Sequence, residues 1–138
     1  MKLMHVLVLA VSAALLPTAC STQQSPSAKP ELIPLSIRTA SGTVHKFRVD
    51  VAATPEEQER GLMFRESLPE DGGMIFPFPT PRVASFWMRN TLIPLDMIFI
   101  RADGSIARIA AETTPHSLEP VTSGEPVTAV LEVAGGKS

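Results

Sequence analysis

Between Val44 and Val51 the chain alternates, with Phe47, Val49 and Val51 apolar and Lys46, Arg48 and Asp50 polar. A period of two sends one set to one face of an extended strand and the other set to the opposite face, so this stretch predicts a strand with one side buried. Leu35 and Ile37 alternate in the same way with Ser36 and Arg38, and Ala40-Ser41-Gly42-Thr43 supplies turn residues between the two runs. Residues 32–51 are therefore a predicted hairpin. The 13 prolines in 138 residues argue against a helical protein and fit short strands joined by loops.

Further along, Thr54-Pro55-Glu56-Glu57-Gln58-Glu59-Arg60-Gly61 carries the signals of one short helix. Thr54 caps it, Pro55 suits the first helical position, Glu57 closes a capping box and Gly61 stops it. Leu62-Met63-Phe64 is expected to enter the core, with Arg65 leaving it, and Ser67 to Gly73 to form a loop. Met74-Ile75-Phe76 predicts a brief strand halted by Pro77, Pro79 and Pro81. Val83 to Met88 and Leu95 to Ile100 predict two central strands, and Asp103-Gly104 a hairpin turn into Ile106 to Ala110. After a polar loop, Val127, Ala129, Leu131 and Val133 alternate with Thr128 and Glu132 to give a last strand. About seven strands and one helix predict a mainly β fold, a small β-sandwich or jelly-roll-like domain over residues 32–138.

The leader is different in kind. Residues 1–19 open with Lys2, run through an apolar stretch and end in small residues, which predicts a secretory signal peptide. Leu16-Pro17-Thr18-Ala19-Cys20 resembles a bacterial lipoprotein box, in which the thiol is acylated and becomes the first mature residue. Cys20 is the only cysteine, so an exported chain could not pair it internally, and acylation accounts for it. Two or more acyl chains would hold the protein on a membrane, where one binds only marginally. Residues 20–31, rich in Ser, Gln and Pro, read as a flexible tether. The expected location is the periplasmic side of the cell envelope. Removing residues 1–19 leaves 11 basic against 14 acidic side chains, a net charge of −3. Such a chain lacks the basic stripe of a nucleic-acid binder, and no nucleic-acid partner is expected.

The order of motifs also carries a resemblance. Thr54-Pro55-Glu56-Glu57-Gln58-Glu59-Arg60-Gly61-Leu62-Met63-Phe64-Arg65, then Gly73-Met74-Ile75-Phe76, then the block from Phe86 to Ile100, then Asp103-Gly104 and finally Val130-Leu131-Glu132-Val133 resemble the domain-of-unknown-function 192 family, DUF192, over roughly residues 35 to 135. The resemblance implies a compact, mainly β jelly-roll sandwich, often exported, with no established activity. Such domains usually continue beyond the final Glu-containing strand, whereas this sequence stops at Ser138, which implies a missing last strand and an unpaired sheet edge.

The densest apolar block, Phe86 to Ile100, holds the only Trp and three polar residues, Arg89, Asn90 and Asp96. Charges in such surroundings are either paired in a core or aimed at a ligand. Arg60, Arg65, Trp87, Arg89 and Asn90 form the candidate ligand-binding set, because guanidinium groups hold planar oxyanions through paired hydrogen bonds and an indole offers a stacking face. The ligand expected there is small and polar or anionic, with an envelope partner protein as the other occupant. If Phe86 and Met88 are core, alternation turns Trp87 and Arg89 outward together. The structural alternative pairs Arg60 or Arg89 with Asp96 or a helix Glu. An envelope hydrolase acting on carbohydrate or peptide is the competing class, with Asp96 and His116 as its weak acid or base candidates. Ser85 or Ser117 would complete a triad, or Glu112 or Asp103 a carboxylate pair. Copper binding by Met63, Met74, Met88 and Met97 with His45 or His116 lacks any tight methionine cluster, so no metal and no cofactor is expected.

Overall fold

The computed structural model describes residues 32–138, and the expected signal peptide, the expected tether and Cys20 lie outside the described residues. The fold is mainly β, with one short helix and a sheet that fits a sandwich-like arrangement. Six strands, β1 (Ile33–Arg38), β2 (Val44–Val51), β3 (Gly72–Phe86), β4 (Leu95–Ile100), β5 (Ile106–Thr113) and β6 (Val121–Ala134), are ordered β1-β2-β3-β6-β4-β5. The helix α1 (Pro55–Arg60) follows β2.

Both predicted hairpins form. β1 and β2 pair antiparallel across a turn in which Gly42 takes φ 88°, and β4 and β5 pair across a turn in which Gly104 takes φ 83°. Asp103 Oδ1 accepts the Ser105 N–H at 2.9 Å and ties the second turn locally. β2 and β3 run parallel, an arrangement that needs a crossover, and residues 52–71 supply it with α1 inside. The capping box of α1 is complete: Thr54 Oγ1 accepts the Glu57 N–H, and the Glu57 carboxylate accepts the N–H groups of Ala53 and Thr54 at 2.8 and 2.9 Å. Gln58 then donates to the carbonyls of Ala52 and Pro77, which clamps the helix against the sheet.

β3 is far longer than the brief strand expected at Met74 to Phe76. It runs through all three prolines because its register with β6 jumps there: Pro77 pairs with Ala129 and Arg82 with Val127. Phe78 to Pro81 thus lie opposite Thr128 alone, a bulge in which missing N–H donors cost no ladder bonds. The expected separate strand at Val83 is the continuation of β3, which ends at Phe86, so the sheet has six strands and not seven.

β6 is paired on both sides, to β3 and to β4, and the sheet edges are β1 and β5. The final strand is thus interior. Both faces of this stretch are covered as well: Val130, Leu131, Glu132 and Val133 are all buried. One face joins Met74, Phe76, Met97, Phe99 and Val130 beneath Leu62 and Met88; the other joins Phe47, Val49, Ile98, Leu131 and Val133. The methionines at 74, 88 and 97 are core residues.

Candidate functional site

α1 ends at Arg60, and the chain turns at Gly61, where φ is 46° and a Cβ would come within 3.3 Å of the Phe76 ring. This close approach drops Leu62 into the core and leaves a cleft of about 280 Å³ between the crossover and β3. Glu59, Arg60 and Met63 line one wall, and Arg82, Ser85, Phe86 and Trp87 the other. Glu132 also lines it. A more open hollow adjoins, sharing Glu59, Arg60, Met63 and Trp87 and adding Glu56, Phe64, Arg89 and Asn90.

Four of the five candidate binding residues thus share one surface. Arg60 and Trp87 line both recesses, and Arg89 and Asn90 line the second. Trp87 is 46% exposed while its neighbour Met88 is fully buried and Phe86 packs against the core, so indole and guanidinium point outward together. The Arg89 guanidinium sits over the Trp87 ring at 5.4 Å, and that of Arg82 over Phe78 at 4.0 Å. Among the described residues, none of the Arg60, Arg82 and Arg89 side chains forms an ion pair or hydrogen bond to protein. Arg65 is elsewhere engaged: its guanidinium donates to Asp50 at 2.8 Å.

Asp96 has no arginine partner, so the expected pairing with Arg60 or Arg89 does not form. It is completely buried, and its two oxygens accept four backbone N–H groups: Glu112 at 2.7 Å and Gly136 at 3.0 Å on Oδ1, Lys137 and Ser138 at 2.8 Å each on Oδ2. Burial pushes this carboxyl up, but the N–H groups of Glu112, Ser138 and Gly136 outweigh it and hold the group below its ordinary value. The carboxylate locks the chain end onto β4 and β5. No hydrogen bond links it to His116, Ser85 or Ser117, and Glu112 offers it a backbone N–H instead of a second carboxyl. His116 is exposed at φ 61°, with its N–H on the Thr91 carbonyl. Among the described residues no three His, Cys, Asp or Glu side chains cluster as metal ligands would.

Glu132 is the residue that sequence reasoning passed over. Alternation assigned it to a solvated face, yet it is 4% exposed, lying between its direct cross-strand partners Met74 and Met97 on the face beneath the crossover. Burial alone pushes its carboxyl up to about 8, with no hydrogen bond from protein to offset it. The signal that singled out Asp96, an acid inside an apolar run, was present in Val130-Leu131-Glu132-Val133 too. Arg82, among prolines, gave no such signal. Phe64, expected in the core, is 63% exposed, because its φ of 63° swings the ring out into the hollow.

The DUF192 model, described as an uncharacterised ACR, matches residues 36–138. The chain belongs to the DUF192 family. Two solved structures share its fold. One, from Novosphingobium aromaticivorans DSM 12444, is a protein of unknown function, 43% identical, with a TM-score of 0.75 over 81% of this chain and 79% of that one. The other, from Sinorhizobium meliloti 1021, is provisionally described as a transcription regulator and is 44% identical, with a TM-score of 0.71 over 73% of this chain and 78% of that one. No curated protein matches the chain. Among the described residues of this DUF192 domain, no helix is long and apolar enough to cross a membrane.

Proposed function

We propose that this DUF192 protein is a non-catalytic binding domain of the cell envelope, exported by residues 1–19 and lipid-anchored at Cys20, that takes a small anionic ligand at the surface of Arg60, Trp87, Arg89 and Asn90. One observation carries the reading: Arg60 and Arg89 flank a half-exposed indole and neither forms an ion pair, although Glu56 and Glu59 line the same hollow. Guanidinium groups left unpaired at a recess keep their hydrogen-bond forks available to an anion brought from outside. The fully engaged carboxylate of Asp96 leaves it no lone pair for acid or base work, which weighs against the hydrolase alternative.

Trp87 is the only tryptophan, so its fluorescence reports on this surface directly. Titration of the mature domain with D-glucuronate should change that fluorescence saturably. Arg60→Ala should weaken the response at least tenfold, as loss of one charge-assisted contact does. An unchanged response in Arg60→Ala, or none in the wild type, would sink the binding reading. For the anchor, mass spectrometry of the mature N-terminus should find acylated Cys20, and Cys20→Ala should move the protein from the membrane to the soluble fraction.

A further inference from the structure

We propose that Glu132 is a ligand-contacting residue of this cleft, donating a carboxylic O–H to an oxygen of a hydroxylated carboxylate whose anionic group is held by Arg60 and Arg82. The inference rests on the binding reading above and assigns the inner contact that reading lacks.

The geometry has three parts. Glu132 lies on the sheet face under the crossover, between Met74 and Met97, neither of which can accept a strong hydrogen bond. It nevertheless lines the cleft shared with Arg60, Arg82 and Trp87. Burial is the sole influence on its carboxyl, with no protein hydrogen bond to it. Since no sealed polar atom is left unpartnered, its oxygens open onto the cleft, where a polar group so nearly buried is costly unless an occupant satisfies it. Evolutionarily inert packing would be served better by Leu or Met at the same position.

The chemistry of the occupant follows from the neighbours. The other charged side chains at the cleft are Glu59 and Arg60 from the crossover and Arg82 from β3; β4 contributes Met97, and no His, Lys or Cys lines it. Two guanidinium groups disfavour an ammonium and favour an oxyanion. An uncharged carboxyl beneath them is a donor, so it selects an oxygen acceptor and needs no counter-ion. At about 280 Å³ the recess is at the small end for ligand pockets, suited to one sugar acid or a similar hydroxy acid.

The test uses D-glucuronate, whose carboxylate stays ionised throughout, and the Trp87 signal of the mature protein at pH 7 and pH 9. Since Glu132 titrates near 8, wild-type affinity should fall about tenfold between these values as the donor proton is lost and a negative charge replaces it. Glu132→Gln, which keeps a donor but cannot ionise, should bind as the wild type does at pH 7 and show no loss at pH 9. Glu132→Leu should fold at least as stably and bind at least tenfold more weakly at both. If Glu132→Gln keeps the wild-type pH dependence, or Glu132→Leu binds normally while Arg60→Ala does not, the Glu132 contact is wrong and the binding surface survives. If glucuronate fails to bind at either pH, both readings fall.

Discussion

The backbone N–H of Phe64 donates to the carbonyl of Asn90 at 2.9 Å, and both residues hold left-handed backbone, at φ 63° and 54°. Asn90 also reaches the Met63 sulfur with its side-chain amide at 3.9 Å. The crossover and the segment after β3 are thus tied together across the hollow by two residues in conformations that L side chains seldom adopt. Such positions gather at functional sites, where the surrounding structure holds them in place.

Phe64→Gly separates stability from binding at this point. Glycine removes the left-handed penalty of about 1–2 kcal/mol but costs about 0.5–1 kcal/mol in unfolded-chain entropy. The variant should therefore melt at or slightly above the wild-type temperature, because a ring 63% exposed contributes little packing. Its glucuronate titration should be several-fold weaker, since one aromatic wall of the hollow is gone. Thermal unfolding and the Trp87 titration, run on the same sample, read the two effects.

Asp96→Asn should destabilise by about 2–4 kcal/mol, measured by urea unfolding. The amide keeps one acceptor oxygen but presents an NH₂ to N–H donors that had a carboxylate, which leaves buried donors unsatisfied. Arg65→Ala is the contrast. It breaks an ion pair whose guanidinium is 40% exposed, and the loss should stay below about 1 kcal/mol.

Gly73→Ala should cost about 2 kcal/mol or more in the same urea experiment. A Cβ there would lie 2.4 Å from the Glu132 carbonyl oxygen and 3.0 Å from a Val133 methyl, and backbone in the middle of a six-stranded sheet cannot retreat. Gly42→Ala has open space around its Cβ and is penalised only by its φ of 88°, so the two substitutions distinguish steric exclusion from backbone strain.

Much of this arrangement was legible in the residues because it rests on local rules. Alternation gave β2, turn chemistry gave the Gly42 and Gly104 hairpins, and the Thr54 to Gly61 spacing gave α1 with its cap. What escaped depends on partners distant in sequence. The prolines of β3 read as a stop because nothing nearby reveals that β3 would bulge there, with four of its residues opposite one of β6. Glu132 read as solvated because alternation presumes one wet face, whereas the crossover and the segment after β3 cover that face with Leu62 and Met88. Phe64 read as core because its apolar character is local information, whereas the bond that turns it outward comes from Asn90.

Stability against pH brings the two buried acids into opposition. Glu132 has its folded value raised to about 8 from an ordinary 4.5, so the folded protein holds a proton that the unfolded chain gives up between these values. Its contribution is most favourable below about pH 4.5 and declines as pH rises, by up to about 4 kcal/mol at pH 8. Asp96 has its folded value lowered below 3.8, so its contribution is complete above that value and is lost as pH falls through the folded one. The wild type should be most stable near pH 4–4.5, with a gradual decline towards pH 8 and a steeper loss in strong acid. In Glu132→Leu the alkaline decline should flatten while the acid loss remains, since Asp96 is untouched. Urea midpoints from pH 3 to pH 9 give both curves; a wild-type profile that rises steadily to pH 8 would mean that Glu132 is ionised within the folded sheet.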